Sequence, residues 1–362
     1  MPVPPGAADA ALLTVPDGWP GVSGEAGELA VVTRSGFIES RHFGHAAVVD
    51  DTGALVRSVG DPDTPCFPRS SLKPFQAAAV LLAGADLVEA PLAIAAASHR
   101  GHPDHVALVT QVLADIGLSV EDLQTPPALP SEEWARARVL RADGAPTRVA
   151  MNCSGKHAGM LAACVAAGWD PATYRDPDHP LQRLARRVVE MATGVEVVHV
   201  GVDGCGAPLF STTIRGLATA MGTLGAATAA DPKDGAMPHV TDPDEVTSTD
   251  IEIALGRIGR AMRAHPWTIA GVGADDTIVM QELDGVVAKG GAEAIMALGS
   301  ADGFGVGLKV LDGNDRAAMV AGLALLATTG VDTRAVADAI APRTLGHGDP
   351  VGRVHASAFP HR

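Results

Sequence analysis

Aromatic side chains are scarce in this chain: Phe, Trp and Tyr together make up 3% of its 362 residues. With 47% apolar residues it can still bury a large core, but one filled by Ala, Val, Leu and Ile, with little area from each. Lysine is nearly missing. Five lysines (Lys73, Lys156, Lys233, Lys289 and Lys309) stand beside 22 arginines. Generic cationic surface is therefore written as arginine, and the few lysines are candidates for a titratable amine, which arginine cannot offer. Four cysteines (Cys66, Cys153, Cys164 and Cys205) are too few for a disulfide scaffold and point to free thiols or metal ligands. No apolar run is long enough to span a bilayer. Met1-Pro2-Val3-Pro4-Pro5-Gly6 has neither the basic nor the apolar region of an export signal. A net charge of −15 argues against nucleic acid or anionic membrane as partner. The expectation is a cytoplasmic enzyme for a small molecule.

Residues 1–26 read as a flexible Pro/Gly/Ala-rich extension, and 27–362 as a single domain. Strands are expected at 29–33 and 45–49, with Asp50-Asp51-Thr52-Gly53 as a hairpin turn into 55–59. A helical subregion runs over about 76–193, with helices at 91–99, 105–116, 160–167 and 181–192. Strand pattern returns at 196–202, a surface loop follows at 231–244, and 251–264 is helical. Strands at 286–291 and 303–310 and helices at 315–329 and 333–341 complete the reading. Strands, a helical block, then strands and helices indicate an α+β fold.

The chemistry is concentrated in a few short segments. Ser70 and Lys73 form an S-x-x-K pair ahead of the apolar run 77–83. On a helix, positions i and i+3 share a face, so the amine can reach the hydroxyl and activate it as a nucleophile. Pro74 confines the helix start to about Ser71, near the positive end of the helix dipole. Ser98-His99-Arg100-Gly101-His102-Pro103-Asp104-His105 could supply a second hydroxyl, a base or a metal site. Cys153-Ser154-Gly155-Lys156-His157 again sets a thiol and an amine three apart. Asp203-Gly204-Cys205-Gly206 offers a carboxylate and a thiol as metal ligands. Lys289-Gly290-Gly291 partly matches the K-T-G strand that accompanies S-x-x-K in β-lactamase-type sites, without its threonine.

Together these segments resemble the thermolabile, Rhizobium-type L-asparaginases, from about Glu28 to Arg343. The resemblance implies a β-lactamase/penicillin-binding-protein-like fold, an antiparallel sheet flanked by helices. It further implies a homodimer and hydrolysis of L-asparagine to L-aspartate and ammonia. By position, Ser70 with Lys73 and Ser98 with Lys289 become two Ser–Lys pairs. Cys153, Lys156 and Cys205 become zinc ligands, with Asp203 beside them. On chemical grounds His157 is the alternative ligand, because an amine must lose its proton to bind metal. Arg69, His157 and Asp203 are the expected substrate contacts, Arg69 through a bidentate pair with the α-carboxylate. Two other functions remain open from sequence: a glutaminase or other amide hydrolase on the same scaffold, and a metal- or amino-acid-binding protein without turnover.

Overall fold

The computed structural model describes residues 21–230, 237–357 and 359. Residues 1–20 of the expected extension and 231–236 of the expected loop lie outside them. Strands β1 (Gly27–Arg34), β2 (Phe37–Val49), β3 (Leu55–Val59) and β4 (Pro65–Cys66) come first. Six helices follow: α1 (Lys73–Leu82), α2 (Glu89–Ala95), α3 (Pro103–Asp115), α4 (Glu133–Arg141), α5 (Ser154–Ala167) and α6 (Pro180–Thr193). Short strands β5 (Val200–Val202), β6 (Pro208–Phe210) and β7 (Thr212–Thr213) lead into α7 (Ile214–Ala229). Helices α8 (Ser248–Ala264), α9 (Trp267–Ala270) and α10 (Asp275–Glu282) precede β8 (Val286–Gly291), β9 (Ile295–Ser300) and β10 (Gly305–Val310). The chain ends with α11 (Ala318–Ala327), α12 (Arg334–Ile340), β11 (Arg343–Gly346) and β12 (Asp349–Ala356). This is the expected α+β architecture.

The main sheet is antiparallel and runs β11-β12-β1-β2-β10-β9-β8, with β3 also on β2. Strand β2 changes partner along its length, pairing with β1 up to Gly44 and with β10 from Gly44 onward. Alternation assigns the faces. Met296, Leu298 and Leu308 meet α11 around Gly322, whereas Gly299, Gly305 and Gly307 meet the backbone of α7. Beyond α7 lie α8 and α6, which with α1, α2 and α5 make the helical block.

Glycine does here what rings do in other cores. A Cβ at Gly305 would sit 1.9 Å from the Ala218 carbonyl oxygen, and one at Gly299 1.9 Å from that of Met221. The helix backbone therefore rests on the strand backbone. The sequence signal for α7 is weak for the same reason: its glycines read as breakers and most of its circumference is buried. Two expected elements are shorter than their apolar runs. The helix over 91–99 stops at Ala95 because the Ser98 and His99 N–H groups donate to the Ile269 and Asn152 carbonyls rather than back along the helix, and the strand over 196–202 pairs as a strand only at Val200–Val202.

Strand β8 is the sheet edge, and a 3-10 turn at Arg69–Leu72 covers it. The Ser71 hydroxyl donates to the Lys289 carbonyl at 2.8 Å. Helix α1 then starts at Lys73 with Pro74 in its first turn and Leu72, with no capping side chain, at its cap. Gly305→Ala tests the helix–sheet seat. The added methyl should cost about 1–3 kcal/mol, read as a lower denaturant midpoint, and an unchanged midpoint would contradict direct backbone contact.

Candidate active site

Three segments meet at the β8 edge: the turn into α1, the extended stretch after α2, and β8 itself. Lys73 and Lys289 are both buried, and both donate to one hydroxyl. The Lys73 Nζ lies 2.9 Å from Ser98 Oγ and 2.5 Å from the Ala97 carbonyl. The Lys289 Nζ lies 3.2 Å from Ser98 Oγ and 2.8 Å from the Gly290 carbonyl. Lys73 thus turns to Ser98 rather than to Ser70, its expected i−3 partner, and the half-buried Ser70 hydroxyl makes no hydrogen bond among the described residues. The residue before Ser70 is backbone-strained: Arg69 has φ 54°. Its side chain, expected to meet a substrate carboxylate, is engaged internally, with Nε 2.9 Å from Asp203 Oδ1.

Asp276, in the first turn of α10, completes this half of the site. Its Oδ2 is 3.7 Å from Lys289 Nζ and accepts the Gly290 N–H at 3.0 Å. Burial drives the Lys289 amine down; Asp276 opposes that and the Lys73 charge adds to it, leaving the amine at about 8. Nothing in the sequence singled out Asp276, which reads as an ordinary acid at a helix start.

The second half is a thiol pocket. Cys153 precedes α5, Lys156 lies in its first turn, and Asp203 and Cys205 sit in the β5–β6 turn. The Cys153 and Cys205 sulfurs and an Asp203 oxygen all lie within 4.8 Å of one another. Lys156 Nζ is 3.3 Å from Cys205 Sγ. A hydrogen bond from Cys205 holds the Cys153 thiol well below the usual range against its burial, with help from Lys73 and Lys156. The same bond and burial push Cys205 up. Burial disfavours charge on Lys156, but the Cys205 and Cys153 sulfurs and Asp203 outweigh it and raise the amine. Two sulfurs and a carboxylate oxygen are ligand types that zinc takes, and the neighbouring Lys156 would add a nitrogen only once deprotonated, so these residues fit such an ion. Binding it would displace the Lys156 proton. His157 points elsewhere: its Nδ1 pairs with the Tyr174 hydroxyl at 2.6 Å, and its Nε2 has no partner among the described residues. It does not join the ligand cluster.

A family model described as L-asparaginase II matches residues 30–356. The chain belongs to the L-asparaginase II family. Among curated protein sequences nothing matches it. Among solved structures it is similar to Mglu in its native form, at 16% identity and a TM-score of 0.40, covering 80% of this chain and 65% of that one. It thus spans less than two thirds of Mglu. It is also similar to a beta-lactamase (Mb2281c) from Mycobacterium bovis, at 15% identity and a TM-score of 0.38, covering 82% of this chain and 93% of that one. Among the described residues, no helix of this asparaginase II chain is long and apolar enough to cross a membrane.

The three histidines after Ser98 do not form a metal cluster among the described residues. His99 accepts the Gly101 N–H on Nδ1 at 3.1 Å, so its Nε2–H donates to Ser154 Oγ at 2.8 Å. Its backbone N–H also donates to the Asn152 carbonyl at 3.1 Å. His99 therefore straps the Ser98 segment to the Cys153 segment. His102 caps α3, and His105 stacks between His99 and Trp267 at 5.2 and 5.3 Å.

The depressed Lys289 amine makes stability depend on pH. The unfolded chain holds its proton up to about 10.5 and the folded chain only to about 8. Folding therefore gains stability as pH rises between these values and loses that gain as pH falls through about 8. In denaturant titrations at about pH 7 and about pH 10, wild type should gain on Lys289→Met by up to about 3 kcal/mol. A constant gap would mean that Lys289 is not depressed.

Proposed function

We propose that this chain hydrolyses the side-chain amide of L-asparagine to L-aspartate and ammonia. The observation that carries the reading is the convergence of two buried amines, Lys73 and Lys289, on the Ser98 hydroxyl, with Ser70 one helical turn before Lys73 in the chain. Burying amines costs free energy, and amide hydrolysis gives such amines a use: to take a proton from a nucleophile and return it to a leaving group. In this reading Ser70 adds to the amide carbon. Its proton passes through Ser98 to the neutral Lys289 amine. Backbone N–H groups around Ser70 receive the oxyanion. The carbon–nitrogen bond then breaks, the proton leaves with ammonia, and water hydrolyses the ester in a second round that frees L-aspartate. Cys153, Lys156 and Cys205, with Asp203, would hold a zinc ion, whose positive charge would help fix the substrate's polar end. The strained Arg69, tied to Asp203, sets where the Ser70 hydroxyl points. A cytoplasmic homodimer is part of the proposal.

A second reading makes Ser98 the acylated serine, since it already touches both amines. Ammonia release decides between the two. Purified protein should release ammonia from L-asparagine, and more slowly from L-glutamine, because one methylene is worth about 1–3 kcal/mol. Ser70→Ala should lower kcat by roughly 10³-fold or more. If hydroxylamine traps an acyl group in Ser70→Ala but not in Ser98→Ala, the nucleophile is Ser98. No ammonia from either amide would sink the hydrolase and leave a metal- or amino-acid-binding protein.

A further inference from the structure

Arg175 is a charged group at this site that the reaction above does not use. It lies between α5 and α6, half-buried, and makes no ion pair with a described residue. It is nonetheless held in place. Its Nε donates to Gln124 Oε1 at 2.7 Å. Gln124 is fixed in turn, its Nε2 donating to the Ala172 carbonyl at 2.8 Å and its backbone N–H to the Tyr174 hydroxyl at 3.1 Å. The guanidinium lies across the turn after Cys205, where a Cβ at Gly206 would come within 2.2 Å of NH1.

Arg175 borders a cavity of about 530 Å³ together with Gln124, Arg148, Asp203 and Cys205. That volume suits a small molecule. Three charged side chains border it: the Arg175 guanidinium, whose terminal nitrogens have no hydrogen bond among the described residues, the Asp203 carboxylate, and Arg148, whose NH1 donates to the Leu123 carbonyl. An α-amino acid carries the complementary charges on one carbon. Arg69 also lies near Asp203, but its charge is compensated there by an ion pair with that carboxylate, whereas the Nε partner of Arg175 is a neutral amide.

We propose that Arg175, braced by Gln124, is the receptor for the α-carboxylate of the substrate and restricts this site to amides of free α-amino acids. The proposal rests on the asparaginase reading. Because Gln124 occupies Nε, the two terminal nitrogens remain for a carboxylate, which guanidinium binds in a fork. Asp203 takes the α-ammonium.

Two variants test it. Arg175→Gln removes the charge; Gln124→Glu leaves the guanidinium in place but gives it an internal carboxylate. Each should raise KM for L-asparagine roughly 10–100-fold, far more than it lowers kcat. Calorimetry should show the same loss for L-aspartate and none for 3-aminopropanamide, which is asparagine without its α-carboxylate. Cobalt titration, read by thiolate-to-metal absorbance, should match wild type and so show the Cys205 turn intact. An unchanged KM, an equal loss for both ligands, or a lost cobalt spectrum would overturn the proposal. If wild type hydrolyses neither amide, the asparaginase reading has failed, and L-aspartate calorimetry still decides on Arg175: binding abolished in Arg175→Gln supports it, and binding that is absent or unchanged overturns it.

Discussion

Two buried amines share one hydroxyl, and the site is organised to make that tolerable. Burial disfavours charge on Lys289, and the Lys73 amine beside it adds to that. The protein answers with carbonyl oxygens from Ala97 and Gly290, with the Asp276 carboxylate beside Lys289, and with the Cys153 sulfur in the next pocket. Each partner comes from a different element. The electrostatic requirement is thus also a folding requirement: α1, α2, α10 and β8 must all be seated before the amines have a place to go. Such a site is worth more to chemistry than to stability.

The two halves are coupled rather than merely adjacent. His99 follows Ser98 and Ser154 follows Cys153, and one imidazole hydrogen bond joins them. On the other side, Arg69 precedes Ser70 and pairs with Asp203, at the rim of the thiol pocket. A change in the sulfur cluster therefore has two mechanical routes to the serines, one through each neighbour in sequence. An ion held by the sulfurs would bear on the hydroxyls without touching them.

Legibility in the sequence followed the reach of local rules. Where apolar periodicity is strong, as in α3, α6, α8 and β10, the elements stand close to where the pattern puts them. Helix α7 escaped because Gly216, Gly222 and Gly225 look like breakers until a sheet is laid against them. The polar first half of β2 and strand β9 were missed as well. The S-x-x-K spacing marks Ser70 and Lys73, but helical geometry predicts a bond from Lys73 to Ser70, and the amine instead finds Ser98, a residue 25 positions away. The Asp276–Lys289 and Gln124–Arg175 contacts leave no local signature at all, since neither residue type nor spacing marks them. The short segments carrying serine, lysine and cysteine could be read one at a time; their meeting could not.

The strand order has a consequence for how the chain is made. Strands β1 and β2 emerge first, yet their sheet neighbours β10 and β12 are the work of the last sixty residues. A ribosome adding about 5–20 residues per second leaves β1 without β12 and β2 without β10 for ten seconds or more, although β1, β2 and β3 can pair with one another meanwhile. Helices α1 to α8 can meet during that interval, but the edge that holds Lys289 cannot. The amine-bearing strand therefore closes a structure already largely assembled, and the cost of its buried charge falls late in folding, when the rest of the molecule is there to bear it.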